Sequence, residues 1–145
     1  MKIYTMGFTQ KTAEEFFTKI KKSNIDILID IRLNNQSQLA GFTKGKDLKY
    51  LLKEIANCDY SHEISFAPTK ELLDDYKKKK VDWNKYVEVF EELIKSRNMV
   101  EKFESKYGKY ERVLLLCSEP TPEQCHRRLV AEAISKKIGY EICHL

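Results

Sequence analysis

The chain has 145 residues, enough to bury a core without staples and the usual size of one domain. Apolar residues make up 42% and charged residues 33%, which excludes a disordered polyelectrolyte, and no apolar run approaches the roughly eighteen residues of a membrane span. A net charge of +4 and an isoelectric point near 8.8 fall short of a strongly cationic nucleic-acid protein.

The chain opens with KIYTMG (2–7), a short strand ending in Gly7. The start MKIYTMG carries no apolar leader, so the four cysteines, Cys58, Cys117, Cys125 and Cys143, are expected to be reduced thiols in the cytoplasm. TAEEFFTKIKKSN (12–24) predicts a helix, with Thr12 and Glu15 at capping-box spacing. IDILIDIR (25–32) is an apolar run ending in charge, as in a strand buried on both faces. GKDLKYLLKEIA (45–56) places Leu48, Leu51, Leu52 and Ile55 at helical spacing. DYSHEISF (59–66) predicts a third strand broken by Pro68, after which Thr69 caps KELLDDYKKKK. The lysine run 77–80 reads as a solvated helix end, where positive charge suits the dipole.

A helical insertion follows. VDWNKYVEVFEELIKSRN puts Trp83, Val87, Phe90 and Ile94 on one stripe, and MVEKFESKY continues to Gly108. Then ERVLLLC is the strongest strand of the sequence, PEQCHRRLVAEAISKKI a helix stopped by Gly139, and YEICHL a closing strand. Strands alternate with helices throughout 1–145, without a linker or repeat. This predicts one α/β domain with a mostly parallel open sheet of about five strands, helices on both faces, and the helical insertion between strands three and four.

The chemistry gathers where the strongest strand ends, in CSEPTPEQCHRR (117–128). Thr121 as N-cap, Pro122 at N1 and Gln124 at N3 predict a helix starting after a short loop of Ser118, Glu119 and Pro120. On its wheel Leu129, Val130, Ala133, Ile134 and Ile138 form the buried face. His126 lies within that face beside Cys117, Cys125 and Arg127 flank it, and Arg128 points to solvent. Asp30 and Arg32 end the second strand, Cys143 and His144 the last, and Gly7 the first. The carboxyl rim of an open α/β sheet is where ligands bind, and a helix N-terminus there favours an anion.

The segments YTMGF, EEFF, ILIDIR, LAGFTKGKDLKYLL, YSHE, LLLCSEPTPEQCHRRLVAEAI and GYEICHL resemble, in order, the family catalogued as domain of unknown function 488. The CSE…CHRR combination is specific, whereas IDIR also resembles a rhodanese run. The resemblance implies layering of Rossmann or rhodanese type and site residues around these motifs, but no reaction. Where many members carry a Gly-Gly segment after the third strand, this chain has APTKELLDDYKKKKVDWNKY, resembling a subgroup.

Cys117 is the expected nucleophile, with His126 or Glu119 supplying acid–base function. Gly7, Asp30, Arg32, Cys125, Arg127 and His144 are the expected ligand-binding residues, with Arg32 and Arg127 clamping a small anionic ligand. No cofactor or oligomeric state is legible. Two further readings stay open. Cys117, Cys125, His126 and His144 are zinc-type ligands, although their spacing fits no compact module and the main reading assigns no metal ligand. A non-catalytic nucleic-acid or regulatory module is permitted by 26 Lys and Arg and eight Tyr, but the basic residues are spread among 22 acids. Simple packing of the cysteines competes with all of these. A cysteine-phosphatase loop is excluded, because Glu123 stands where its arginine belongs.

Overall fold

A computed structural model describes residues 1–36, 41–119 and 121–145. Strand β1 (Lys2–Gly7) leads to helix α1 (Ala13–Lys22), where the Thr12–Glu15 capping box is formed on both sides. Strand β2 (Ile27–Asp30) is followed by α2 (Gly45–Ala56) and β3 (Asp59–His62). Three helices come next: α3 (Lys70–Lys77), capped by Thr69, α4 (Trp83–Ser96), capped by Asp82, and α5 (Met99–Tyr107). Strand β4 (Arg112–Cys117), α6 (His126–Ile138) and β5 (Glu141–His144) complete the order.

The strands form one sheet in the order β3-β2-β4-β1-β5, and every pairing is parallel. The strongest apolar strand, β4, takes the centre. There it is covered on both faces, as a continuous apolar run requires. Alternation splits the core in two. Ile3, Ile27, Ile29, Val113, Leu115 and Cys117 face α3 to α6, whereas Tyr4, Met6, Leu28, Leu114 and Leu116 face α1 and α2. No helix among the described residues is long and apolar enough to cross a membrane.

Two boundaries differ from expectation. The third strand stops at His62, and Ile64–Phe66 turns into a short 3-10 segment beneath buried Phe66. More consequentially, the last helix starts at His126 rather than near Thr121. Cys125 is its N-cap in extended conformation and makes no side-chain cap hydrogen bond. Capping is worth about 1 kcal/mol. That gain is outweighed by burying Cys125 and Arg127, which the exposed 121–124 turn allows. Pro120, expected in the preceding loop, and Leu39 and Ala40 of the LAGFT segment lie outside the described residues.

Candidate functional site

Cys117 closes β4 with its side chain on the α6 face, set there by the same parity as Val113 and Leu115. Cys125 opens α6. The two sulfurs are in direct contact, while the Cα atoms stand 7.7 Å apart. A disulfide does not span more than about 7 Å between Cα atoms without backbone movement. The pair therefore reads as two converging thiols rather than a structural crosslink. A ring nitrogen of His126 joins them, so that all three ligand atoms lie within 4.8 Å of one another.

The His126 ring is fixed by Nε2, which stands 2.8 Å from the Ile31 carbonyl oxygen. A carbonyl only accepts, so Nε2 carries the proton and Nδ1 keeps the lone pair. Burial pushes the imidazole down to about 4, with the Ile31 carbonyl opposing, so the ring is neutral at pH 7. Phe90 packs against it at 5.6 Å between centroids.

Arg127 is 0% exposed. It donates from Nη1 to the Cys117 sulfur at 3.2 Å and to the Glu119 carbonyl at 2.5 Å, and from Nε to the Thr5 hydroxyl at 3.3 Å. Nη2 is buried without a hydrogen-bond partner among the described residues. No ion pair to Arg127 is present among the described residues. Burial pushes the guanidinium down to about 10, against a weak pull from Glu119 and Glu123, and it stays charged at neutral pH. Gly7 makes this geometry reachable: a Cβ there would come 1.5 Å from the Glu119 carbonyl oxygen and 2.9 Å from Arg127 Nη1.

A cleft of about 410 Å³ opens over this group at the carboxyl ends of β1, β2 and β4. Cys117, Cys125, His126, Ser118 and Glu119 line it with Arg32, and Phe8, Tyr76 and Tyr86 supply an aromatic wall. Tyr76 of α3 donates to Gln124 at 2.8 Å, tying the helical insertion to the turn before α6. The model of the family described as "Domain of unknown function DUF488" matches residues 12–134.

The chain belongs to that family.

No curated protein and no solved structure matches this DUF488 chain. Its rim brings together Cys117, Cys125, His126, Arg127 and the Glu119 backbone, with Gly7 beneath them. Arg32 lines the cleft, whereas Asp30 and His144 stand outside its lining. Asp30 is fully buried on the α2 side, where Arg32 meets it in a fork at 2.6 and 2.8 Å and Tyr60 donates at 2.7 Å. Arg32 also donates to the Thr43 carbonyl at 2.6 Å, so its fork is committed within the protein. Arg32 reaches the cleft lining from the sheet face opposite to Arg127, because Asp30 shares the parity of Leu28 and Cys117 that of Leu115.

His144 is outside the cleft lining. Its Nδ1 shares a hydrogen bond with the Thr5 hydroxyl at 2.5 Å, and Thr5 accepts from Arg127. His144 is therefore absent from the Cys/His group expected of a four-ligand metal site. Arg128, expected in solvent, lies over the Trp83 ring at 5.9 Å and pairs with Glu132 at 3.8 Å. Thr5 was missed, and its signal was a hydroxyl inside the otherwise apolar KIYTMG, on the face that meets α6.

A larger hollow of about 690 Å³ runs along the β3 edge, lined by Lys46, Lys49, Tyr50 and Tyr110 among others. Its one cysteine, Cys58, is pushed up to about 12 by burial. The hollow lacks convergent reactive groups among its lining residues, so the 410 Å³ cleft is the candidate site.

Proposed function

We propose that 1–145 is one domain built around a small-molecule site at the carboxyl rim of the sheet, with Cys117 as its reactive thiolate. The supporting observation is Arg127, a fully buried guanidinium with no carboxylate ion pair among the described residues and with its Nη1 3.2 Å from the Cys117 sulfur. A buried cation without a counter-ion is costly, and an ionised Cys117 supplies that counter-ion. In this reading Cys125 and the Nδ1 atom of His126 flank the sulfur. Glu119, the only carboxylate among the described lining residues, gives and takes the proton. Neutral His126 donates from Nε2 to Ile31 and leaves Nδ1 as an acceptor at pH 7. The ligand is a small anion or an electrophile with an apolar body, its polar end toward Cys117 and its body against Tyr76 and Tyr86.

Competition labelling tests this. In reduced, chelator-treated protein, iodoacetamide should modify Cys117 faster than Cys58 at neutral pH, and a bound small anion should slow it. Labelling of Cys117 only after unfolding overturns its role as the reactive group.

The β3-edge hollow gives a nucleic-acid module its best place, since lysines alternate there with tyrosines. Lys53 and Lys106 are already neutralised by Asp59 and Glu63, which weakens that reading. A binding constant for single-stranded oligonucleotide that falls steeply with salt would restore it.

A further inference from the structure

We propose that Cys117, Cys125 and His126 bind one borderline-soft divalent cation of the zinc class, with a fourth position open to the cleft. The inference rests on the reading of the cleft as a functional site and names the cofactor of that site. Two sulfurs and an imidazole nitrogen, all within 4.8 Å, are the donor set such an ion selects. Donors on a tetrahedral ion with bonds near 2.3 Å stand roughly 3.8 Å apart. The sulfurs touch in this structure, but the 7.7 Å between Cα atoms is too long for a relaxed disulfide and lets them part to that spacing.

The surroundings agree. A ligating histidine regularly donates its other ring N–H to a carbonyl, which fixes its tautomer and orientation. His126 does this toward Ile31. Arg127 supplies the hydrogen bond to the Cys117 sulfur. The charge count also closes: two thiolates neutralise a divalent ion, and Arg127 leaves the centre one unit positive. With Cys117 already ionised, binding releases the Cys125 thiol proton. The open position then favours an anion, and the cleft supplies the room for it. Three protein ligands and one exchangeable site form the pattern of a reactive rather than a purely structural centre.

Cobalt(II) titration of the reduced, chelator-treated full chain tests this without any activity assay. One equivalent should bind and give a thiolate-to-cobalt charge-transfer band, with visible bands of tetrahedral intensity, and zinc(II) should displace it. Cys117→Ser and Cys125→Ser should each remove the band, and His126→Gln should weaken binding by at least tenfold. Cys143→Ser, outside the cleft, should leave the spectrum unchanged. Circular dichroism on each variant separates lost ligation from lost folding, and the wild-type stoichiometry needs no variant. A missing charge-transfer band, a band that survives Cys125→Ser, or a Cys117–Cys125 disulfide that persists as the stable species with reductant and cobalt present each overturns the proposal. Should cobalt fail to bind while Cys117 still labels rapidly, the metal falls and the thiolate cleft stands. Should neither occur, both fall.

Discussion

Replacing Arg127 by methionine keeps most of the buried side-chain volume and removes the charge beside Cys117. At 3.2 Å, with the effective dielectric near 20 that suits protein sites, a guanidinium attracts a thiolate by about 5 kcal/mol. Burial opposes ionisation, as it does at Cys58, where it outweighs the pull of Lys53 and pushes the thiol up to about 12. The whole 5 kcal/mol does not reach the rate, because a stabilised thiolate is a weaker nucleophile, with a Brønsted coefficient of about 0.4–0.5. Roughly half remains, about 2.5 kcal/mol, or a slowing of about seventyfold. The assay is the iodoacetamide rate constant of Cys117 in metal-free, reduced protein at neutral pH, read by peptide mass spectrometry, with a thermal melt confirming that the variant folds. Equal rates for wild type and Arg127→Met, in two folded proteins, would refute the claim that Arg127 holds Cys117 ionised.

Gly7→Ala drives a Cβ into the Glu119 carbonyl and should cost roughly 1–3 kcal/mol in a urea melt, while slowing Cys117 labelling by displacing the loop that Arg127 grips. Asp30→Asn leaves the Arg32 charge buried with one partner fewer and should cost about 3–5 kcal/mol, with a smaller effect on Cys117 because the pair belongs to the opposite face. Burial pushes Glu63 up, but hydrogen bonds from Tyr107, Lys106 and Ser65 outweigh it and hold the carboxyl below its ordinary 4.5. Its stabilising contribution is thus full above that value and drains as pH falls through the lower folded one. Glu63→Gln should lower stability near neutral pH and flatten the acid limb of a stability-against-pH curve, and an unchanged acid limb would count against the assignment.

The helix starts were legible wherever side chains alone decide them. The Thr12–Glu15 box and the Thr69 cap both form, because nothing buried competes for those residues. The Thr121–Gln124 signal is equally good on paper and fails, because Cys125 and Arg127 have to be buried on the far side of it. Strand order was readable only as alternation of strands with helices. The register that pairs Ile27 with Val113 is a tertiary fact, and it is this register that sends Asp30 and Cys117 to opposite faces. The rim residues were found from their positions at strand ends. Full burial of Arg127 was beyond a helical wheel, which measures angle and not depth, and charged residues are almost never fully buried without a partner.

The two buried arginines near β4 show why the chemistry belongs to one face. Arg32 meets Asp30 through two donors and the Thr43 carbonyl through another, so its field is largely cancelled within a few ångströms, and Phe8 packs over the guanidinium at 5.1 Å. That is a strut between β2 and the chain before α2. Among the described residues Arg127 hydrogen-bonds a carbonyl, a hydroxyl and a sulfur, of which the sulfur alone can carry a full negative charge. The first turn of α6 adds its own partial positive charge at the same place. Two positive sources converge on the end of β4, and among the described residues no carboxylate forms an ion pair with Arg127. Stability alone would favour a carboxylate there, as on the Asp30 side. Its absence leaves the field to act on whatever occupies the cleft floor: ionised cysteines, a metal they hold, or the anion that metal admits.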